Sequence, residues 1–174
     1  MTHFTLKIAT LAAALSATLP IAALACEPSS EMTPKHVAAE TEAAAHLMVA
    51  PGEVAWGAGP GSLPTGAELA VIEGDPSKAG PFTMRLKFPA GYRIPAHSHP
   101  AIEHITVLSG VFGIGTGDEL DTSKGRAMPA GSFVVMPVGH NHFAWTDEAT
   151  VVQLHGIGPW GITYVDPADD PRGS

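Results

Sequence analysis

From residue 67 onward the chain is written in short runs of apolar, aromatic and β-branched residues. AELAVIEG, FTMRLKFP, YRIPAHSH, EHITVLSG, VFGIGTG, SFVVMPV, HFAWT, TVVQLHGIG and WGITYV follow one another. Many of them alternate apolar with polar positions, the period of a strand with one face buried. Turn residues separate them: DPSKAGP, PAG, a Pro100 turn and the longer DELDTSKGRAMPAG. About nine strands at this spacing, with no sustained helical period, predict an all-β sandwich or barrel.

The rest of the chain reads differently. Residues 51–66 are rich in Gly and Pro and predict an extended lead-in, and 26–50 read as a polar tail whose Ala/Glu-rich part could form a short helix. Residues 166–174 form an acidic C-terminal tail, leaving 67–165 as the barrel. The first 25 residues carry one lysine, an Ala-rich apolar run broken by Pro20, and Ala23-Leu24-Ala25, an A-x-A cleavage pattern. They predict a removable export signal, hence a periplasmic or secreted protein. Cys26, the only cysteine, follows that pattern. Its lipidation, which would anchor the chain to a membrane, is the alternative. The signals of bacterial lipoproteins prefer Leu where this chain has Ala23.

Composition narrows the reading. Hydrophobic residues make up 45% of the 174, charged ones 15% and aromatics 6%, which supports a packed core rather than disorder. One cysteine permits no disulfide within the monomer. A net charge of −8 argues against nucleic acid as a partner, because no basic patch is available.

The candidate chemistry is carried by GYRIPAHSHPAIEHITVLSG, residues 91–110, and GSFVVMPVGHNHFAW, residues 131–145. His97 and His99 are two apart and share a strand face. Glu103 opens the next strand and can fold back to the same face, whereas His104 should point away. His140 and His142 are again two apart. Imidazole nitrogens with a carboxylate oxygen suit a divalent transition metal, and binding one makes their closeness useful. On alternation alone His140 could line the pocket or take the place of His142. His155 shares a face with Gln153, either inward and near the site or solvated.

These two segments resemble the motifs of the cupin superfamily. Gly91, His97, His99, Glu103 and Gly110 match the first motif, G-x5-H-x-H-x3-E-x6-G, and Gly131, Pro137, Gly139 and His142 match the second, G-x5-P-x-G-x2-H-x3-N. Thr146 stands where the family often has Asn. The resemblance implies a single-domain cupin jelly-roll β-barrel with an N-terminal extension. It also implies metal ligation by His97, His99, Glu103 and His142, with Fe, Mn, Zn, Ni or Cu as the ion. Cupins include dioxygenases, decarboxylases, isomerases and plain binders. The expectation is therefore an exported metal-dependent oxidoreductase, dioxygenase-like, acting on a small organic substrate, with His140 and His155 as candidate catalytic groups. The alternative is a non-catalytic metal or small-ligand binding module. Cupins often dimerise, so a homodimer is expected, with the lead-in from Glu53 to Leu63 crossing to the partner.

Overall fold

The computed structural model describes residues 46–173. The expected export signal, Cys26 and most of the polar tail lie outside the described residues. Eleven strands form in chain order. They are β1 (Gly57–Ala58), β2 (Glu68–Glu73), β3 (Gly80–Phe88), β4 (Tyr92–Ser98), β5 (Glu103–Ser109) and β6 (Val111–Thr116). Then come β7 (Arg126–Pro129), β8 (Phe133–Met136), β9 (His142–Thr146), β10 (Thr150–Gly158) and β11 (Thr163–Tyr164).

They pair into two antiparallel sheets, a large one ordered β1-β2-β3-β10-β5-β8 and a small one ordered β11-β4-β9-β6-β7. This is the jelly roll that the strand spacing and motifs predict. Alternation decides which residues the sheets bury between them. On β3, Phe82, Met84, Leu86 and Phe88 point inward; on β10, Val152 and Leu154; on β5, Ile105 and Val107. They meet Tyr92, Ile94, Phe112, Ile114 and Ala144 of the small sheet in one apolar cluster. A buried Leu or Phe of this kind contributes about 1.5–3 kcal/mol.

The four motif glycines, Gly91, Gly110, Gly131 and Gly139, all have positive φ, between 67° and 87°. At Gly110 the need is double: a Cβ there would stand 2.5 Å from the Ala149 carbonyl oxygen and 2.6 Å from Thr150 Oγ1. Thr146, at the position where the family motif often has Asn, is fully buried and its hydroxyl donates to the Pro89 carbonyl at 2.7 Å.

Two short strands were not expected. β7 lies inside the turn-rich segment after β6, and β1 lies in the lead-in, where Gly57 and Ala58 pair with Leu69 and Glu68. The lead-in makes contacts with its own chain. The Tyr164 hydroxyl donates to the Ser62 carbonyl at 2.7 Å, and the Tyr92 hydroxyl donates to the carbonyl of Pro64. Lys87 Nζ sits 4.5 Å over the Trp56 ring.

Candidate metal centre

His97 and His142 are cross-strand partners on β4 and β9. Glu103 opens β5 in the opposite sheet, and His99 lies just past the end of β4. The centre therefore bridges both sheets at one end of the barrel. His97 reaches it only through an irregularity. Ile94 pairs with Ala144 and His97 with His142, so β4 holds one residue more than β9 over this stretch. Ile94 already faces the interior, and strict alternation would send His97 outward. The extra residue, a β-bulge at Pro95-Ala96, turns it back in. Proline lacks the N–H that a regular ladder needs there, so the bulge accommodates it.

All four side chains are buried, with His142 at 2% relative exposure and Glu103 at 6%. The rings of His97, His99 and His142 each present a ligand nitrogen, and these lie within 4.8 Å of one another. Their orientation is fixed by backbone carbonyls. His97 Nδ1 donates to Pro95 O at 2.7 Å, His99 Nδ1 to Gly161 O at 2.6 Å, and His142 Nδ1 to His140 O at 2.9 Å. A carbonyl can only accept, so each Nδ1 carries the proton and each Nε2 keeps its lone pair. Trp160 stacks on His99, with centroids 4.3 Å apart and planes 22° apart.

The electrostatics agree with neutral rings at His97 and His99. Burial, with the neighbouring His142 and His99, pulls His97 from its ordinary 6.5 down to about 2. Burial also lowers His99, although the Glu103 carboxylate pulls the other way. Glu103 Oε1 lies 3.5 Å from His99 Nε2, and Oε2 lies 3.4 Å from His142 Nε2. With Nδ1 protonated, these are lone pairs facing carboxylate oxygens, an arrangement that repels unless a cation stands between them. His99 Nε2 and Glu103 Oε2 are buried without a hydrogen-bond partner. Two donors bound to one first-row ion at about 2.1 Å stand roughly 3.0–3.4 Å apart. The donor set and its spacing fit a divalent transition ion.

Beside the cluster runs a cavity of about 270 Å³ whose walls are almost wholly apolar. Its mouth is formed by Pro60, Ser62 and Leu63 of the lead-in and by the Asp75-Pro76-Ser77 turn.

Two candidates fall outside this site. His140 is exposed and does not line the cavity. Alternation does not carry through it, because residues 137–141 turn: His140 N–H donates to Pro137 O at 3.2 Å and Gly139 has φ 67°. Only its backbone carbonyl serves the centre. His155 lies on the outer face of the large sheet, since Leu154 faces in. There it stacks on His104, its cross-strand partner, with centroids 4.9 Å apart and planes 7° apart. Gln153 is also outside, accepting from Arg85 Nε at 3.1 Å. Conversely, Trp160 and Gly161 shape the site although their segment carried no signal of it. Sequence spacing from His99 hides a contact made through a backbone carbonyl.

The comparisons agree with this geometry. A family model described as ChrR Cupin-like domain matches residues 44–160, more than half of the chain. The chain belongs to the ChrR cupin-like family. No curated protein matches this cupin. Among solved structures it is similar to the "putative acetylacetone dioxygenase" of Methylibium petroleiphilum PM1, at 20% identity, TM-score 0.56, covering 73% of this chain and 85% of that one. It is also similar to the polyketide cyclase RemF of Streptomyces resistomycificus, at 16% identity, TM-score 0.57, covering 72% and 89%. A third similar structure is the DMSP lyase DddQ of Ruegeria pomeroyi DSS-3, at 20% identity, TM-score 0.51, covering 64% and 60%. Identities this low show a shared fold, and a cupin fold hosts many reactions.

Proposed function

We propose that this cupin is a metal-dependent enzyme in which His97, His99, Glu103 and His142 hold one divalent first-row ion, with an oxidoreductase activity of dioxygenase type on a small organic substrate. The observation that carries the reading is the clustering of three buried histidines, with His99 and His142 Nε2 facing the buried Glu103 carboxylate, beside a largely apolar cavity. Three His and one Glu leave coordination positions free on an ion that prefers five or six ligands. A bound ion would polarise a substrate oxygen there and, if iron, open oxidative chemistry. The protein's own part is to hold the donor set, orient the rings through Pro95, His140 and Gly161, and exclude water with the cavity walls.

One observation favours a second reading, a binding module. Beyond the cluster, the only ionisable side chain lining the cavity among the described residues is Asp75 at its mouth. Hydrogen bonds from Ser77 and Lys78 hold its carboxyl at about 2, so it is a poor proton acceptor near neutrality. Chemistry here would have to rely on the ion. Elemental analysis of protein from its own host identifies the metal. Oxygen uptake by the iron-loaded protein across catechols, thiols and diketones then separates the readings. No turnover with any of the candidate metals would leave the binding module.

We further propose export through residues 1–25, with lipidation of Cys26 as the alternative. Cell fractionation and the mass of the mature N-terminus distinguish them. A homodimer is supported by Phe133, Val135 and Ile157, which are exposed on the outer face of the large sheet. Sedimentation of wild type against Phe133→Glu tests it.

A further inference from the structure

The cavity beside the centre reveals what kind of molecule it can take. Its apolar walls come from both sheets and include Leu86 and Phe88 of β3, Phe112 and Ile114 of β6, and Val152 and Leu154 of β10. Among the described residues, no lysine or arginine lines it. The nearby cations are engaged elsewhere: Arg85 with Gln153 on the outer face, and Lys78 with Asp75 at 2.9 Å on the exposed turn. Among the described residues, the acidic or basic side chains that line it besides the histidines are Glu103 and, at the mouth, Asp75, both negative when ionised. A ligand anion lodged among these walls would have no partner except an ion in the cluster. Burying an unpaired carboxylate in such surroundings is prohibitively costly.

Size sets a second limit. At roughly 30 Å³ per water-sized group, 270 Å³ holds about nine non-hydrogen atoms. The shape of the problem is therefore asymmetric: one polar end that faces the cluster, and a body that touches only hydrocarbon.

We infer that this site takes a small molecule whose metal-binding oxygens sit at one end and whose remaining body is uncharged and apolar. This rests on the metal-centre reading for the polar end, and on the cavity alone for the apolar body. Sugars, and molecules with a second charged group away from the metal-binding end such as dicarboxylates and sugar phosphates, do not match these walls, whatever ion is bound.

Two pairs of probes test it. On zinc-loaded protein, which is redox-inert, calorimetry compares 4-methylcatechol with 3,4-dihydroxybenzoate. The two share the same donor atoms and differ at the far end, a methyl group against a carboxylate; 4-isopropylcatechol, with as many non-hydrogen atoms as the carboxylate but no charge, controls for size and should bind more tightly than the carboxylate. The expected result is 4-methylcatechol binding tighter by on the order of a hundredfold. On metal-free protein, toluene is compared with benzoate, and toluene alone should bind. Occupancy of the cavity should change the fluorescence of Trp160, which lines it, whereas Trp145 packs on Gly113 and Gly125 and Trp56 lies under Lys87. Trp160→Phe should abolish most of that fluorescence change, which assigns the signal to the cavity.

Equal or tighter binding of the carboxylate member in either pair overturns the inference, as does toluene binding that leaves Trp160 emission unaltered. Failure of the metal reading would show separately, as absence of zinc from the protein, and the toluene–benzoate pair would still decide the question of the cavity.

Discussion

Metal-free protein should lose stability between pH 7 and pH 5, and His97 sets the minimum size of the loss. An unfolded histidine takes up a proton near its ordinary 6.5, whereas folded His97 stays neutral down to about 2, because burial penalises its charged form. The folded pKa is the lower of the two. Its contribution is therefore fully present above 6.5 and is lost as pH falls below it. Each pH unit below that point costs about 1.4 kcal/mol for one such group. By pH 5 His97 alone removes about 2 kcal/mol. His99, displaced in the same direction, adds to this. The lowered carboxyls of Asp75, Asp121 and Asp170 act only below the carboxylate range, outside this window. Urea unfolding at fixed ionic strength, with chelator present, measures the change against a total of about 5–15 kcal/mol for a domain of this kind. His97→Gln should lose about 2 kcal/mol of the pH dependence. A metal-free protein equally stable at both pH values would refute the buried, neutral state assigned to the ring. So would a His97→Gln variant with an undiminished pH response.

Three further outcomes follow from named contacts. His99→Ala should lose on the order of tenfold or more in metal affinity, measured by elemental analysis after dialysis, while His104→Ala on the outer face should keep its metal; equal losses would refute the ligand set. Gly113→Ala should destabilise by about 1–3 kcal/mol, because its Cβ would stand 2.1 Å from the Trp145 ring; an unchanged melting temperature would show that the ring has room to move. Tyr164→Phe should cost about 1 kcal/mol and raise hydrogen exchange around residues 60–66, since it releases the Ser62 carbonyl; unchanged exchange there would mean that the lead-in is held by other contacts.

How far the sequence could be read depended on how local each contact is. His97 and His99 declare a shared face by being two apart, and Glu103 follows within one turn. The β10 residues Val152 and Leu154 carry the alternation that sends His155 outward, so its position was in principle legible from its apolar neighbours. His140 misled because a continuous extended run was assumed across Gly139, where the chain turns instead. Pro95 is a subtler case. A proline inside a strand marks a bulge, and that bulge is what lets both Ile94 and His97 face inward. The Trp160 stack and the Gly161 carbonyl left no local trace at all. They are brought to His99 by the closing of the barrel, over 62 positions of chain.

The place of β10 carries a lesson for biogenesis. It has nine residues, paired along its whole length with β3 on one side and from Val151 to His155 with β5 on the other. A chain emerging from the ribosome has β2–β3 and β5–β8 available long before it, but as two separate ribbons with raw flanks. Only when Thr150 to Gly158 has been synthesised can the halves be stitched together, and only a few residues later does Gly161 arrive to steady His99. Such late, long-range closure makes for slow maturation, and the nascent polypeptide must be kept from pairing its open flanks with its neighbours in the meantime.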